Sequence, residues 1–300
     1  MAKREDIGFK LDDGVELSAW LYRPDGDAGP RPAISMAHGF AGTRWHSLAQ
    51  YAEKFAAAGF VVLLHDHRGF GPSGGEPRND IDPWRQIEDW RRALTYLEAL
   101  PEVDVTRIGI WGSSYAGGHV LVLGATDDRV ACVVAQVPTI SGYLQGLRRI
   151  VPEGVVALEK AFSDDERARS KGEPSRMQAV VSDDPDKPAA YRGQDAIDFY
   201  LHDLDEGARW ENTVTMRSSR WARMYEPGAW VPRIGPKPLL MVVAIHDTIT
   251  LTDTALEAFE HAHEPKKLVL IPGGHFDAYG ESFEASSSAA LAWFQQHLMA

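Results

Sequence analysis

Apolar residues in this chain form short runs separated by amphipathic stretches, a pattern typical of strands and helices that follow one another. Near the start, two segments that alternate apolar and polar residues flank Asp12-Asp-Gly14, which predicts a hairpin. Later runs are continuously apolar, as expected for parallel strands covered on both faces, and they span 33–37, 60–64, 108–111, 130–137, 239–244 and 267–271. Helical stretches between and after them span 46–58, 82–100, 254–262 and 283–298, and a further helix begins at residue 115. The alternation predicts a doubly wound, mostly parallel sheet with an antiparallel start.

One long segment breaks this alternation. Residues 140–235 contain helical pieces and clusters of charge but no clear buried strand. A structureless loop of this length is implausible in a compact domain, so we predict a mainly helical cap inserted over the carboxyl ends of the strands, where open α/β sheets bind ligands. The predicted division is a core of residues 1–139 and 236–300 and a cap of residues 140–235.

Charge and composition narrow the classes of partner. The formal net charge of -12 repels phosphate backbones, so nucleic acid is not expected as a partner. No apolar run reaches the roughly 18 residues of a membrane span, and a cytoplasmic protein is expected. The only cysteine, Cys132, lies in an apolar run and is expected to pack in the core. A small-molecule partner is expected, and a homodimer is left open.

A serine lies in a glycine-rich turn between a short apolar strand and a helix. Residues 112–118 read Gly-Ser-Ser-Tyr-Ala-Gly-Gly, which resembles the nucleophile elbow of the α/β-hydrolases, usually Gly-x-Ser-x-Gly. The turn of such an elbow pushes the serine Oγ clear of the sheet and needs small residues two positions before and after the serine. Gly112 meets this demand, and Ala116 departs from the usual glycine by one methyl group. The motif predicts Ser114 as a nucleophile.

A serine hydroxyl is a poor nucleophile near neutral pH, so it needs an adjacent base, which in turn needs an orienting acid. Asp247 directly follows one apolar run and His275 follows the next. Both lie just past strand ends at the edge of the sheet that carries the elbow, and the order Ser, Asp, His is that of α/β-hydrolases. The sequence therefore predicts a triad of Ser114, Asp247 and His275. Asp253 is the second candidate acid, although it fits better as the N-cap of the next helix, and His246 is expected to be a loop residue.

Acyl transfer builds negative charge on a carbonyl oxygen, which preorganised backbone N–H donors stabilise. The elbow supplies the N–H of Tyr115. The second donor is expected from the loop after the strand at 33–37, where Gly39 lets the backbone approach closely and Phe40 provides the N–H. His38 is expected to brace this loop, and Arg68 is expected to hold the turn after the next strand.

These motifs together resemble a serine α/β-hydrolase over essentially the full chain, cap excepted. The elbow, the His38-Gly39 loop, the loop at 66–73, Asp247 and His275 all fall in the order of that superfamily. The Ser-Tyr pair at the elbow and the spacing are also similar to a bacterial and fungal branch that contains esterases, thiohydrolases and polyketide acyltransferases. More loosely, they resemble the cocaine-esterase and X-prolyl peptidase group.

The resemblance implies an α/β-hydrolase fold and a serine hydrolase that cleaves a carboxylic ester or thioester through an acyl-enzyme. Acyl transfer to another acceptor and peptide or amide hydrolysis on the same triad stay open. So does a non-catalytic small-molecule binding protein of the same fold. We expect no metal and no cofactor, because the histidines lack a ligand spacing and the elbow lacks the Gly-x-Gly-x-x-Gly phosphate pattern.

The cap carries a dense set of large apolar side chains that are predicted to line the substrate pocket: Trp210, Met216, Trp221, Met224 and Tyr225. A helix over 213–225 would place some of them on one face. Such a pocket should favour a medium-sized apolar or aromatic acyl group over a charged one, because burying an unpaired charge is costly. The alternative is that an arginine faces the substrate, with three candidates in the same helix: Arg217, Arg220 and Arg223.

Overall fold

An eight-stranded sheet forms the centre of the computed structural model, which describes residues 3–26 and 29–299. The strands of the described residues are β1 (Lys3–Lys10), β2 (Glu16–Arg23), β3 (Arg31–Ala37), β4 (Val61–His65), β5 (Val103–Ser113), β6 (Val130–Gln136), β7 (Met177–Val181), β8 (Ala189–Tyr191), β9 (Val214–Thr215), β10 (Leu239–Ala244) and β11 (Lys266–Ile271). The central sheet has the order β1-β2-β4-β3-β5-β6-β10-β11. β2 pairs antiparallel with β1 and with β4, and all other neighbours are parallel. The predicted mostly parallel sheet with an antiparallel start is confirmed.

Helices cover both faces of this sheet, as a doubly wound fold requires. The α-helices of the described residues are α1 (Ala49–Ala57), α2 (Pro83–Glu98), α3 (Tyr115–Thr126), α4 (Gly142–Arg149), α5 (Pro152–Arg169), α6 (Gln194–Tyr200), α7 (Met216–Met224), α8 (Thr252–Glu260) and α9 (Phe283–Leu298). Short 3₁₀ helices span Glu206–Ala208, Pro227–Arg233 and His275–Tyr279. α2 begins as predicted, because the Asp82 side chain accepts the backbone N–H groups of Trp84 and Arg85 at 3.0 and 3.3 Å.

Alternate residues of the central strands point to opposite faces, and each face has its own core. In β4, Val61 and Leu63 pack into the cluster that contains α2 and α3, whereas Val62 and Leu64 pack into the cluster that contains α1 and α9. Every residue of β4 is buried, so the continuous apolar run there reflects a strand covered on both sides.

The segment between β6 and β10 contains α4 to α7 and a separate three-stranded sheet in the order β8-β7-β9. The expectation that residues 140–235 hold no buried strand is therefore wrong. β7 is only five residues long, but its Val180 and Val181 are fully buried, and it pairs with β9 through Met177 and Gln178 and with β8 through Ala179 and Val181. Its apolar stretch is too short to stand out between two charged loops. The predicted core ranges 1–139 and 236–300 include residues 1, 2, 27, 28 and 300, which lie outside the described residues.

Two further observations concern only residues 3–26 and 29–299. In those ranges no helix is long and apolar enough to cross a membrane. Nor do three histidine, cysteine or acidic side chains of the same ranges group together so that they could hold a metal ion.

Candidate active site

Strand β5 and helix α3 meet in a sharp turn at Ser114, whose backbone has φ 60° and ψ -119°. A residue with a side chain rarely adopts a positive φ, so this conformation is strained. Gly112 makes the turn feasible, because a β-carbon there would overlap the carbonyl oxygen of Ala116. Ala116 is fully buried, and its methyl group takes the place of the usual glycine hydrogen. The local sequence thus forces a strand, a tight turn and a helix around one serine.

Three side chains form a hydrogen-bonded chain that begins at Ser114. The Ser114 Oγ lies 2.9 Å from the Nε2 of His275, and the Nδ1 of His275 lies 2.8 Å from the Oδ2 of Asp247. The three residues follow β5, β11 and β10 respectively, so all lie at the carboxyl ends of parallel strands. The structure therefore brings together the residues predicted as a triad, and histidine lies within reach of the serine proton.

Asp247 is fixed by its own loop. Its Oδ1 accepts the backbone N–H groups of Ile249 and Thr250, each at 2.8 Å, and its Oδ2 accepts the Thr250 hydroxyl at 2.7 Å. Burial disfavours the ionised carboxylate, but the His275 ring and the hydrogen bonds from Thr250 outweigh burial and lower the pKa of Asp247 to about 2. Asp247 is therefore ionised at neutral pH, as an orienting partner of a histidine must be.

Asp253, the second candidate acid, lies away from this chain of hydrogen bonds. Its side chain is exposed, and its two oxygens each lie 2.7 Å from a guanidinium nitrogen of Arg148. The prediction that Asp253 is the N-cap of the next helix is wrong. That position belongs to Leu251, at φ 69°, because the tight turn after Asp247 already brings the chain into α8 at Thr252. His246 is exposed.

The loop after β3 approaches the elbow at Gly39. A β-carbon at residue 39 would lie 2.9 Å from the Cβ of Ser114, so a larger residue does not fit. The ring of Phe40 packs edge-on against the ring of Tyr115, with their centroids 5.6 Å apart. Among the described residues, no hydrogen bond uses the backbone N–H of Phe40 or of Tyr115. Two unengaged N–H donors beside a nucleophile are what a developing oxyanion requires.

His38 and Arg68 brace this region as expected. The Nε2 of His38 accepts the backbone N–H of His67 at 3.0 Å, and burial lowers the pKa of His38 to about 3, so the ring is neutral. The Arg68 guanidinium pairs with Asp13 at 2.8 Å and with Asp89 at 2.5 Å. Both residues therefore hold loops at the carboxyl end of the sheet together.

Two aromatic residues of the segment between β6 and β10 also hold the loop after β3. The Tyr200 hydroxyl donates to the carbonyl oxygen of Phe40 at 2.6 Å, and the Trp210 indole N–H donates to that of Ala41 at 2.7 Å. Both bonds fix backbone carbonyls immediately beside the Phe40 N–H. Trp210 thus orients a loop of the site, a role that its apolar character did not predict.

A cavity of about 430 Å³ reaches Ser114 and lies between the loops of the sheet and the segment that follows β6. Its volume is in the usual range for small-molecule sites. The sheet side is lined by Phe40, Ser114, Tyr115 and Ile249. Residues of α4, α7 and β8 line the other side.

None of the five large apolar residues predicted to line this cavity does so. Met216 and Tyr225 are buried inside the fold, with 4% and 1% of their surface exposed, and Tyr225 packs against the ring of Tyr115. Met224 is 62% exposed, Trp221 is half-buried, and Trp210 bonds to the loop described above. Of the large apolar residues of α7 only Met216 is buried, and the cavity is lined by smaller and more polar residues of this helix, Ser219, Ala222 and Arg223.

The cavity is instead rich in polar side chains that the sequence did not single out. They are Gln145, Arg148 and Arg149 of α4, Arg192 after β8, and Arg223 of α7. Of these, only Arg223 was among the arginines considered as an alternative. One signal in the sequence could have predicted this lining. Two arginines are adjacent at 148 and 149, in the first helix after the strand that follows the elbow helix.

The family model of the X-Pro dipeptidyl-peptidases (S15 family) matches residues 13–277 of this chain. The chain belongs to this family. It is accordingly an α/β-hydrolase and an enzyme, in agreement with the prediction from the elbow and the order of the site residues. The S15 match extends from the first hairpin to the loop of His275, so it covers the elbow and both partner loops.

Individual relatives carry several functional names. The quorum-quenching protein AidA of Acinetobacter baumannii (strain MDR-ZJ06) is 34% identical over 282 residues, which cover 93% of this chain and 90% of that protein. A thiohydrolase of Eupenicillium brefeldianum is 30% identical over 92% of this chain and 89% of its own length. The polyketide transferase grgF of a Penicillium species is 32% identical over 98% of this chain and 97% of its own length. The crystal structure of the alpha/beta hydrolase GrgF from Penicillium sp. sh18 matches with a TM-score of 0.84 and 29% identity, covering 99% of this chain and 100% of that one.

Proposed function

We propose that this enzyme hydrolyses a carboxylic ester or thioester through an acyl-enzyme formed on Ser114. The observation that carries the proposal is the chain of hydrogen bonds from Ser114 through His275 to Asp247 at the end of a cavity of about 430 Å³. The name of the thiohydrolase relative supports a thioester as one of the two bond types.

In the first step, the Ser114 Oγ forms a bond to the substrate carbonyl carbon while its proton passes to the Nε2 of His275. The carbonyl oxygen becomes negative and is stabilised by the N–H groups of Phe40 and Tyr115. Ionised Asp247 stabilises the positively charged ring of His275. The tetrahedral intermediate then expels the alcohol or thiol, which takes the proton from His275 and leaves an acyl group on Ser114.

Water releases the acid in the second step. A second cavity beside Ser114 and His275, of about 10 Å³, has space for roughly one water molecule. Gly39, Phe199 and Phe276 contribute to its wall. His275 would take a proton from this water as its oxygen attacks the acyl carbon, and would return the proton to Ser114. This space is large enough for the single water molecule that hydrolysis of the acyl-enzyme requires.

Acyl transfer to a larger acceptor is the second candidate, supported by the name of the polyketide transferase relative. An acceptor would take the position beside His275 that the alcohol or thiol has left, and it would compete there with water. Removal of a dipeptide from a peptide amino terminus fits less well. Asp195 is the one carboxylate among the residues that line the larger cavity in the described chain, and four arginines there would repel an ammonium group.

We further assign residues 140–235 the role of a cap, because α4, β8 and α7 supply much of the cavity wall. A cytoplasmic location agrees with a chain whose only cysteine, Cys132, is buried and unpaired. The oligomeric state stays open between monomer and homodimer, and sedimentation of the purified protein distinguishes them.

Two experiments test the proposal. A fluorophosphonate probe should label the folded enzyme, and mass spectrometry should find the label on Ser114. The enzyme should then release p-nitrophenol from acyl esters or free thiol from acyl thioesters without any added acceptor. A label on another serine, or turnover only when an alcohol or thiol acceptor is supplied, would overturn hydrolysis at Ser114.

A further inference from the structure

One part of the 430 Å³ cavity is apolar and another part is a group of hydrogen-bond donors. Apolar side chains on its wall include Phe40, Ile150, Leu158, Tyr191 and Ile249. The donors are Gln145 and Arg149 of α4 and Arg223 of α7, called here the donor cluster. Such a wall suits a ligand with an apolar chain and a polar, electron-rich end.

Two other arginines of the cavity are already engaged. Both carboxylate oxygens of Asp253 accept from Arg148 at 2.7 Å, which neutralises its charge. Arg192 donates to the carbonyl oxygens of Asp184 and Lys187 at 2.7 and 2.8 Å, so its guanidinium is turned to the backbone. The positive charge available to a ligand therefore lies in the donor cluster.

No carboxylate of the described residues lies within hydrogen-bond distance of the two charged groups in the donor cluster. The guanidinium of Arg149 donates to the backbone and side-chain oxygens of Gln145 and lies over the ring of Tyr191. Among the described residues, no acidic side chain pairs with Arg149. The Arg223 Nη2 is 3.7 Å from Glu159, beyond hydrogen-bond distance, and the Glu159 side chain is 57% exposed. Water therefore weakens that attraction.

Two donors of the cluster also lack hydrogen bonds. Gln145 is only 4% exposed, and its Nε2 has no partner in the described structure, whereas its Oε1 accepts from Arg149. The Arg223 Nη1 is likewise buried without a partner and lies against Gly146, where a β-carbon would come within 2.6 Å. Unsatisfied buried donors destabilise a protein. Both belong to side chains that line one cavity, so an acceptor that is bound there and contacts these atoms would satisfy them.

We infer that the acyl group hydrolysed by this enzyme ends in a carboxylate, which the donor cluster binds while the acyl carbonyl lies at Ser114. The substrate class is the half ester or half thioester of a dicarboxylic acid. A carboxylate supplies several lone pairs and a negative charge, matching an amide N–H and two guanidinium groups, of which Arg149 has no acidic partner among the described residues and Arg223 has only Glu159 at 3.7 Å. This inference rests on the proposed function and names the acyl group on which that function acts.

The test compares two esters of the same shape, the mono-p-nitrophenyl ester of suberic acid and the p-nitrophenyl ester of suberamic acid, in which a neutral amide replaces the carboxylate. The anionic ester should have a kcat/KM at least about tenfold higher, as expected for charge-assisted hydrogen bonds, with most of the difference in KM. A ratio of one or below in the unaltered enzyme would overturn the inference, while turnover of either ester would leave the proposed function standing.

Variants assign the preference to the donor cluster. Arg223→Gln should bring the ratio of the two kcat/KM values close to one, Arg223→Lys should retain part of it, and Gln145→Glu should reverse it. Arg220→Gln is the matched control, because Arg220 lies on the same helix, is 46% exposed and does not line the cavity. A preference that survives both Arg223→Gln and Gln145→Glu in folded protein would place the carboxylate elsewhere and overturn the inference.

A binding measurement separates failure of this inference from failure of the proposed function. In Ser114→Ala, calorimetry with monomethyl suberate and its neutral amide analogue measures recognition without chemistry. Tighter binding of the carboxylate supports the donor cluster even in a protein that hydrolyses no ester. Equal binding of the two ligands contradicts the inference even in an active enzyme.

Discussion

The α-carbon of Gly39 lies so close to the side chain of Ser114 that a β-carbon at residue 39 would stand 2.9 Å from the Ser114 Cβ and 3.4 Å from its Oγ. This contact sets the distance between the nucleophile and the next backbone N–H, that of Phe40. The loop after β3 and the elbow after β5 therefore form one unit. Neither can shift without displacing the other.

Gly39→Ala should lower kcat by about a hundredfold, because moving the Phe40 N–H is comparable to the loss of one oxyanion donor. The measurement is steady-state hydrolysis of a p-nitrophenyl ester. Gly42→Ala is the matched control, since a β-carbon at residue 42 meets nothing nearer than 3.8 Å. Equal activity of the two variants would contradict a role of the Phe40 N–H.

Ser114→Ala should reduce kcat/KM by at least about a thousandfold, because it removes the atom that forms the acyl-enzyme. Circular dichroism should show an unchanged fold, since the substitution also leaves a small residue in the elbow. Ser113→Ala serves as the control. Its hydroxyl lies 2.6 Å from that of Tyr279 and 3.1 Å from the Nε2 of Gln136, so its loss should cost about 1 kcal/mol of stability with activity retained.

Asp247→Asn should cut kcat by about a thousandfold or more, because an amide cannot stabilise the charged form of His275 or enforce its tautomer. Asp253→Asn should leave kcat within about twofold, since exposed ion pairs such as that with Arg148 contribute little. The two rate constants, measured side by side, decide between the acids. A larger loss in Asp253→Asn would move the orienting role to that residue.

The stability of the protein should depend on pH through Asp247. Its pKa is about 2 in the folded protein and is expected near the ordinary value of 3.8 after unfolding. Folding therefore favours the ionised form, so this stabilisation is complete above a pH of about 4 and is lost as the pH falls through about 2.

The difference between the two pKa values corresponds to about 2 kcal/mol. In urea unfolding, the difference in stability between the unaltered protein and Asp247→Asn should be largest near neutral pH. It should shrink toward pH 2. A difference that stays constant over this range would show that ionisation of Asp247 is not the source. Asp253→Asn should show a much smaller effect, because its charge is exposed to solvent.

The sequence predicted the features that depend on short-range chemistry. The positive φ of Ser114 needs small neighbours, and the glycine at 112 indicates this requirement in the sequence. Buried parallel strands need continuous apolar runs, and loops past their ends must meet at one edge of the sheet. These constraints are local, which is why the positions of Asp247 and His275 could be predicted before any contact was known.

The wall of the cavity could not be predicted in the same way. Tyr225 and Met216 are as apolar as pocket residues often are, yet both are buried in packing. Hydrophobicity alone does not distinguish a side chain that packs inside the fold from one that lines a cavity. Arg149 and Arg223 are far apart in the chain, and only the fold of the inserted segment brings α4 and α7 together. The sequence favours an apolar acyl group, and we propose a carboxylate instead because of these arginines.

The inserted segment leaves the sheet after β6 and returns at β10, and these two strands are hydrogen-bonded neighbours in which Val133 lies beside Leu239. One continuous stretch of the chain thus supplies the α4 and α7 side of the cavity, whereas Ser114, Asp247 and His275 lie outside it. A segment exchanged between related chains at this join would keep the ladder between β6 and β10, but it would also have to supply the hydroxyl of Tyr200 and the indole of Trp210 that hold the loop of Phe40. The position of the join thus lets the cavity wall diverge faster than the nucleophile and its partners, as long as those two anchors are kept.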